Sequence, residues 1–214
     1  MGAVLTCLVI GLSAACGTSS ATATSPSAIA AGNGGGSNAR SGPASGGAAG
    51  TVAGVSTSGF TMSTSAGQKV TVDETSSTTF QNGTSSISAS AITTGQDVLV
   101  LGTTSGTTIT ATQVIVQPTG GSGSAAGVIS FQPGAPTASK QVGQIPANYS
   151  QGSGTIVSGT TAYKATEAAL AAYAGGIVDR VVQLSNGEYE VHYIGVNWPH
   201  HIFVNQDFKV VGAN

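Results

Sequence analysis

The chain has 214 residues, a formal net charge of −2 at pH 7 and only 7% charged side chains. So weak a charge balance excludes electrostatic steering toward nucleic-acid phosphate or an acidic lipid surface. Of its two cysteines, Cys7 lies inside an N-terminal apolar run and Cys16 at the end of it; removal of that run and acylation of Cys16 would leave no free thiol for a disulfide scaffold, thiol catalysis or a cysteine–metal site.

The chain opens MGAVLTCLVIGLSAACGT. Residues 3–15 form an apolar run of signal-peptide length, too short for a permanent membrane span. Ser13, Ala14 and Ala15 stand directly before Cys16, with Leu12 just upstream. This resembles a bacterial lipobox. The resemblance implies that residues 1–15 are a signal peptide and that Cys16 is lipidated. The mature protein is then extracytoplasmic and held on the bacterial cell membrane by its lipid anchor. Leu12 stands one place early, and no Lys or Arg precedes the run. An ordinary secretory signal cleaved near Ala15 is the alternative.

Residues 16–50 are low-complexity, with Arg40 the one charge and almost no large apolar side chain. Such a stretch buries too little surface to offset chain entropy and is expected to be a disordered tether. A flexible Gly/Ser-rich chain spans roughly 5–6 Å × √n, which holds the next domain a few nanometres from the membrane. Its GNGGGS is no phosphate loop, because no strand precedes it and no Lys-Ser/Thr ending follows.

Residues 51–117 read as short strands with Gly turns: TVAGVST, GFTMST, QKVTVD, TTF, DVLVLG and TTITATQVIVQ. Apolar side chains recur at period two (Phe60 with Met62, Val70 with Val72, Val98 with Val100), which predicts an all-β antiparallel barrel or sandwich. The stretches "TTGQDVLVLG" and "ATQVIV" resemble a family of bacterial secreted β-barrel domains of unknown function with OB-like topology. That resemblance implies a fold and no activity. A nucleic-acid role is not expected: the segment carries Lys69 against Asp73, Glu74 and Asp97, and its aromatics are Phe60 and Phe80.

Residues 118–160 are a second linker, Gly/Ser-rich at first and then carrying Ile145, Tyr149, Ile156 and Val157. They are either a strap packed on a neighbouring domain or a disordered spacer. The whole chain is therefore expected to hold two small domains that fold independently.

Residues 161–214 read as one α+β unit. A helix is predicted from Lys164 to Tyr173, capped by Thr160 or Thr161 and stopped by Gly175-Gly176. Two strands joined by Ser185-Asn186-Gly187 follow, Asn-Gly being a strong hairpin signal. Tyr189, Val191 and Tyr193 alternate with Glu188, Glu190 and His192, which predicts a half-buried strand with its carboxylates in solvent. Two more short strands follow the Asn197-Trp198-Pro199 corner, giving one helix on a three- to four-stranded antiparallel sheet. "AYAGGIVDRV", "SNGEYEVH" and "DFKVVG" resemble a PepSY-type domain, found in bacterial envelope proteins and protease propeptides, and the resemblance implies a module of the kind that inhibits or chaperones peptidases.

No catalytic residue and no cofactor is expected. G-x-S-x-G, S-x-x-K and H-E-x-x-H are absent, and a set drawn from Ser185, His192 and Asp179 is one of many in so serine-rich a chain. Trp198, His200 and Phe203 lie near the corner between strands and are the expected contacts to an envelope protein or polymer. The alternative is a metal site built on His192, His200 and His201, completed by Glu190 or Asp207. Strand alternation argues against it, because neighbours such as His200 and His201 point to opposite faces.

Overall fold

Ala44–Gly50 carry no large side chain, yet they open the longest strand among the described residues. The computed structural model describes residues 42–118 and 141–214, which belong to one compact unit. Cys16, the signal segment and most of the predicted tether lie outside the described residues. Among those described are thirteen strands and one α-helix, none of it a helix long and apolar enough to cross a membrane.

The first seven strands are β1 (Ala44–Ser56), β2 (Gly59–Ser63), β3 (Lys69–Asp73), β4 (Thr79–Asn82), β5 (Ser85–Ser86), β6 (Asp97–Ser105) and β7 (Thr108–Val116). β1 pairs with β2 and with β6, β2 with β3, and β6 with β7, all antiparallel. A parallel pairing of β3 with β7 closes these five strands into a barrel. Val52, Met62, Val70, Val100, Ile109 and Val114 fill it, each at most 1% exposed. The parallel closure corrects the expected all-antiparallel barrel. Period-two alternation reports which side chains face a core, but it is blind to the direction of the neighbouring strand.

The remaining elements are β8 (Val142–Gly143), β9 (Thr155–Val157), α1 (Gly159–Ala172), β10 (Ile177–Gln183), β11 (Tyr189–Ile194), β12 (His201–Val204) and β13 (Val210–Ala213). β10 to β13 pair antiparallel in chain order, with β9 beside β10 and β8 beside β13. α1 covers one face of this sheet, setting Ala162, Ala165 and Ala169 against Val181, Val191 and Ile202. Alanines on the contact face let helix and sheet approach closely. The helix starts at Gly159, earlier than Lys164, because burial of Ala162 rewards one more turn. Thr160 and Thr161 fall inside it, and Ser158 occupies the N-cap position.

The two sheets are joined by a strand. Gly47 pairs with Leu101 of β6 on one edge and with Val178 of β10 on the other, and Ala48 likewise bridges Val100 and Ile177. The predicted tether ran to Gly50, but its last seven residues are this junction. Its glycines are there for space: a Cβ on Gly46 would stand 2.1 Å from the Val178 carbonyl oxygen, and one on Gly47 would stand 2.2 Å from that of Val100. Composition cannot distinguish a glycine kept for flexibility from one kept for close approach.

The second linker also contributes to the fold. Ile145 and Tyr149 pack on Val182, Leu184 and Phe203 on the sheet face opposite α1. Of the two readings of residues 118–160, the strap describes this part, while residues 119–140 lie outside the described set.

Phenols bind the helix end to the sheet. The Tyr193 hydroxyl donates to the Tyr173 carbonyl at 2.8 Å, and the Tyr193 side chain is buried. Burial, helped by neighbouring Tyr173, raises Tyr193 well above the ordinary phenol range, and burial pushes Tyr173 up to about 12. A raised folded-state value favours the neutral phenol, so this stability is complete below about pH 10 and falls as pH climbs toward the raised values. Urea midpoints should therefore hold steady below pH 10 and drop between pH 10 and 12, more shallowly in Tyr193→Phe. A wild-type midpoint that does not move up to pH 12 would contradict this.

Candidate functional site

The sheet face away from α1 is where the charge is buried. In β10, Val178 pairs with Tyr193 and Arg180 with His192, so Asp179 is the extra residue of a β-bulge. Bulges re-aim side chains, and here Asp179 and Arg180 both reach His192. They are 3% and 2% exposed. His192 Nδ1 lies 2.6 Å from Asp179 Oδ1 and 3.1 Å from Arg180 Nη1. The shorter contact assigns the proton: Nδ1–H donates to the carboxylate, while Arg180 Nη1 donates to Asp179 Oδ2 at 3.4 Å.

The same arrangement repeats one strand over. His192 and His201 are direct cross-strand neighbours, as are Glu190 and Phe203. His201 Nδ1 stands 2.6 Å from Glu190 Oε1, and the Tyr149 hydroxyl lies 3.0 Å from that nitrogen and donates to Glu190 Oε1 at 3.3 Å. Burial and the nearby Glu190 charge both raise the Tyr149 phenol above its ordinary value, so it remains a donor. Glu190 is 0% exposed, and its other oxygen, Oε2, has no hydrogen-bond partner among the described residues. The expectation of a solvated Glu190 is therefore corrected. Alternation placed it opposite Tyr189 and Val191 rightly, but the strap covers Glu190 through Tyr149, and a strap is not visible in strand periodicity.

His200 completes the cluster. Its Nδ1 donates to the Tyr193 carbonyl at 3.2 Å. The ring centroids of His192 and His201 are 5.2 Å apart, and that of His200 lies 6.3 and 6.4 Å from them. His200 escapes the alternation expected to separate it from His201, because β12 begins at His201. His200 belongs to the corner, where side chains do not alternate. All three rings line one open cavity of about 630 Å³ together with Gln151, Trp198 and Asn214. Asp207, the other expected partner, is exposed in the turn at the opposite end of β12.

The expected contact surface changes composition. Phe203 is 0% exposed and packs edge-on to Tyr149 at 4.7 Å, which removes it from any docking surface. Trp198 is half-buried, with its ring edge-on to Tyr173 at 5.6 Å. His200 alone of the three is exposed. Ser185 sits in the β10–β11 hairpin turn and lines a different cavity, so the Asp179–His192 pair has no serine from that set.

Sequence reasoning missed Arg180 and Tyr149, and it did not foresee that Asp179 and Glu190 would be buried. The available signal was Asp179-Arg180 inside the otherwise apolar run IVDRVV, since charges at the centre of a strand are kept only when paired. No protein-family model, curated protein or solved structure matches this chain.

Proposed function

We propose that this chain is a non-catalytic, lipid-anchored protein of the bacterial cell envelope that binds its ligand in the histidine-lined cavity of the C-terminal sheet. The observation that carries the binding reading is the pair of carboxylate–imidazole dyads, Asp179–His192 and Glu190–His201, whose rings line that one cavity. A dyad of this kind could orient a general base, but among the described residues the cavity lining includes no serine, threonine or cysteine for covalent catalysis. Convergent, oriented imidazoles on an open cavity support a binding role. The buried positions of Phe60 and Phe80 support a barrel without a nucleic-acid stacking surface. The lipid anchor rests on Cys16, and the OB-like and PepSY-like readings rest on the sequence resemblances.

The test is independent of ligand identity. The protein is extracted from membranes under native conditions, and half is unfolded, dialysed and refolded. A ligand that binds only the folded state should leave the native sample several degrees more stable, following RT ln(1 + [L]/Kd). The single tryptophan, Trp198, lines the cavity and should differ in emission between the two samples. Identical melting and emission would remove the binding reading. In the same cells a fatty-acid probe should label the wild type and not Cys16→Ser, and label retained by the serine variant would remove the anchor.

A further inference from the structure

We infer that the ligand of this cavity is a divalent transition-metal cation of the zinc class, held by His192, His200 and His201; the inference rests on the binding reading above. Each of the three rings commits the same nitrogen to an acceptor. Nδ1 of His192 faces Asp179, that of His201 faces Glu190, and that of His200 faces the Tyr193 carbonyl. With Nδ1 carrying the proton, the neutral form of each ring has its lone pair on Nε2. Metal-binding histidines are held in this way, by a carboxylate or backbone carbonyl on the far nitrogen that fixes the tautomer and makes the ligating nitrogen more basic. One such contact is ordinary. Three around a single cavity are not required by packing.

The charge balance also points to a cation. Behind the rings the face buries two carboxylates, Asp179 and Glu190, against one guanidinium, Arg180. Glu190 Oε2, fully buried and unpaired among the described residues, is costly to keep unless positive charge is supplied nearby. An anionic ligand would add to that cost, whereas a dication would offset it. Imidazole ligands suit zinc, copper and nickel rather than calcium or magnesium.

The ring spacing matches an ion at one of the three pairs. Three imidazoles on a tetrahedral ion at about 2.0–2.1 Å put their ring centroids roughly 5 Å apart. His192 and His201 stand at 5.2 Å. His200 is farther, at 6.3 and 6.4 Å, and as placed no three His, Cys, Asp or Glu side chains among the described residues gather onto an ion position. Closure onto an ion requires the rings to shift, and the exposed His200 ring at the corner has rotamer-scale freedom to do so. Glu190 and Asp179 are positioning residues here, and Tyr149 supports Glu190.

The experiment uses the untagged full chain carrying Cys7→Ser and Cys16→Ser, so that no thiol contributes. Zinc chloride is titrated in competition with a chromophoric chelator, and copper(II) chloride is titrated against Trp198 fluorescence. One equivalent of zinc should bind, with copper quenching Trp198. Affinity should fall by about 10-fold or more in His200→Ala and His192→Ala, and by about 10- to 100-fold in Glu190→Gln. His200 is exposed, so His200→Ala keeps the fold, and its melting temperature verifies this. No zinc binding at 100-µM-scale concentrations (about −5.5 kcal/mol), or an affinity unchanged in His200→Ala, would overturn the inference. If the natively extracted protein is stabilised by its ligand yet holds no metal, the binding reading stands and the metal falls. If neither effect is seen, both fall.

Discussion

Gly47→Val should destabilise the protein by about 3 kcal/mol or more and should unfold the barrel and the C-terminal sheet in one transition. The Cβ alone would lie 2.2 Å from the Val100 carbonyl oxygen and 3.2 Å from a Leu101 methyl carbon. Backbone oxygen cannot yield as a flexible side chain can, because Val100 is itself held in the β1–β6 ladder. Gly47 also pairs with Val178, so the displaced segment is the one that joins β6 to β10. The measurement is urea unfolding followed by Trp198 fluorescence for the C-terminal sheet and by amide exchange of β2 and β3 for the barrel. Coincident transitions are expected in both wild type and variant. Barrel amides that remain protected after the Trp198 signal is lost would restore two independent domains. Gly42→Val provides the control, since nothing lies within 4 Å of a Cβ there.

Phe203→Ala should cost about 3–5 kcal/mol, the usual range for emptying a phenylalanine site in a core. Phe203 is 0% exposed and packs against Val182, Leu184 and the edge of Tyr149. Its loss would also loosen the strap, because Tyr149 and Ile145 reach the sheet at this cluster. In a unit of this size the melting temperature should fall by roughly 10 °C. Proteolytic cleavage near residues 145–149 should become faster. A surface contact residue would behave otherwise, with a change of about 0.5 kcal/mol or less and an intact strap. An effect below 1 kcal/mol would return Phe203 to the docking surface.

The candidate site was half legible. The concentration of His192, His200 and His201 was visible, as was the alternation that places Glu190 and His192 on one side of β11. The environment of that side was hidden. Tyr149 lies 41 residues from Glu190 and 52 from His201, in a stretch whose composition resembled a spacer. No local pattern connects positions so far apart. Burial of a carboxylate depends on which chain covers it, and periodicity describes only the chain that carries it. Trp198 shows the same limit, since its contact is Tyr173 at the end of α1, on another element.

The sequence by itself determined the local elements. Alternation and Gly turns set β2, β3, β6 and β7, the Asn-Gly pair set the β10–β11 hairpin, and an alanine-rich run set α1. These follow from short-range sterics and from the period at which apolar side chains recur, so neighbours in the chain suffice to specify them. Only the tertiary structure decided the parallel β3–β7 closure, the use of Ala44–Gly50 as a shared strand, the strap of residues 145–149 and the enclosure of Glu190. Each depends on contacts between distant segments. There the deciding quantities are the space between two backbones and the surface that a third segment covers, neither of which is a property of any one stretch of residues.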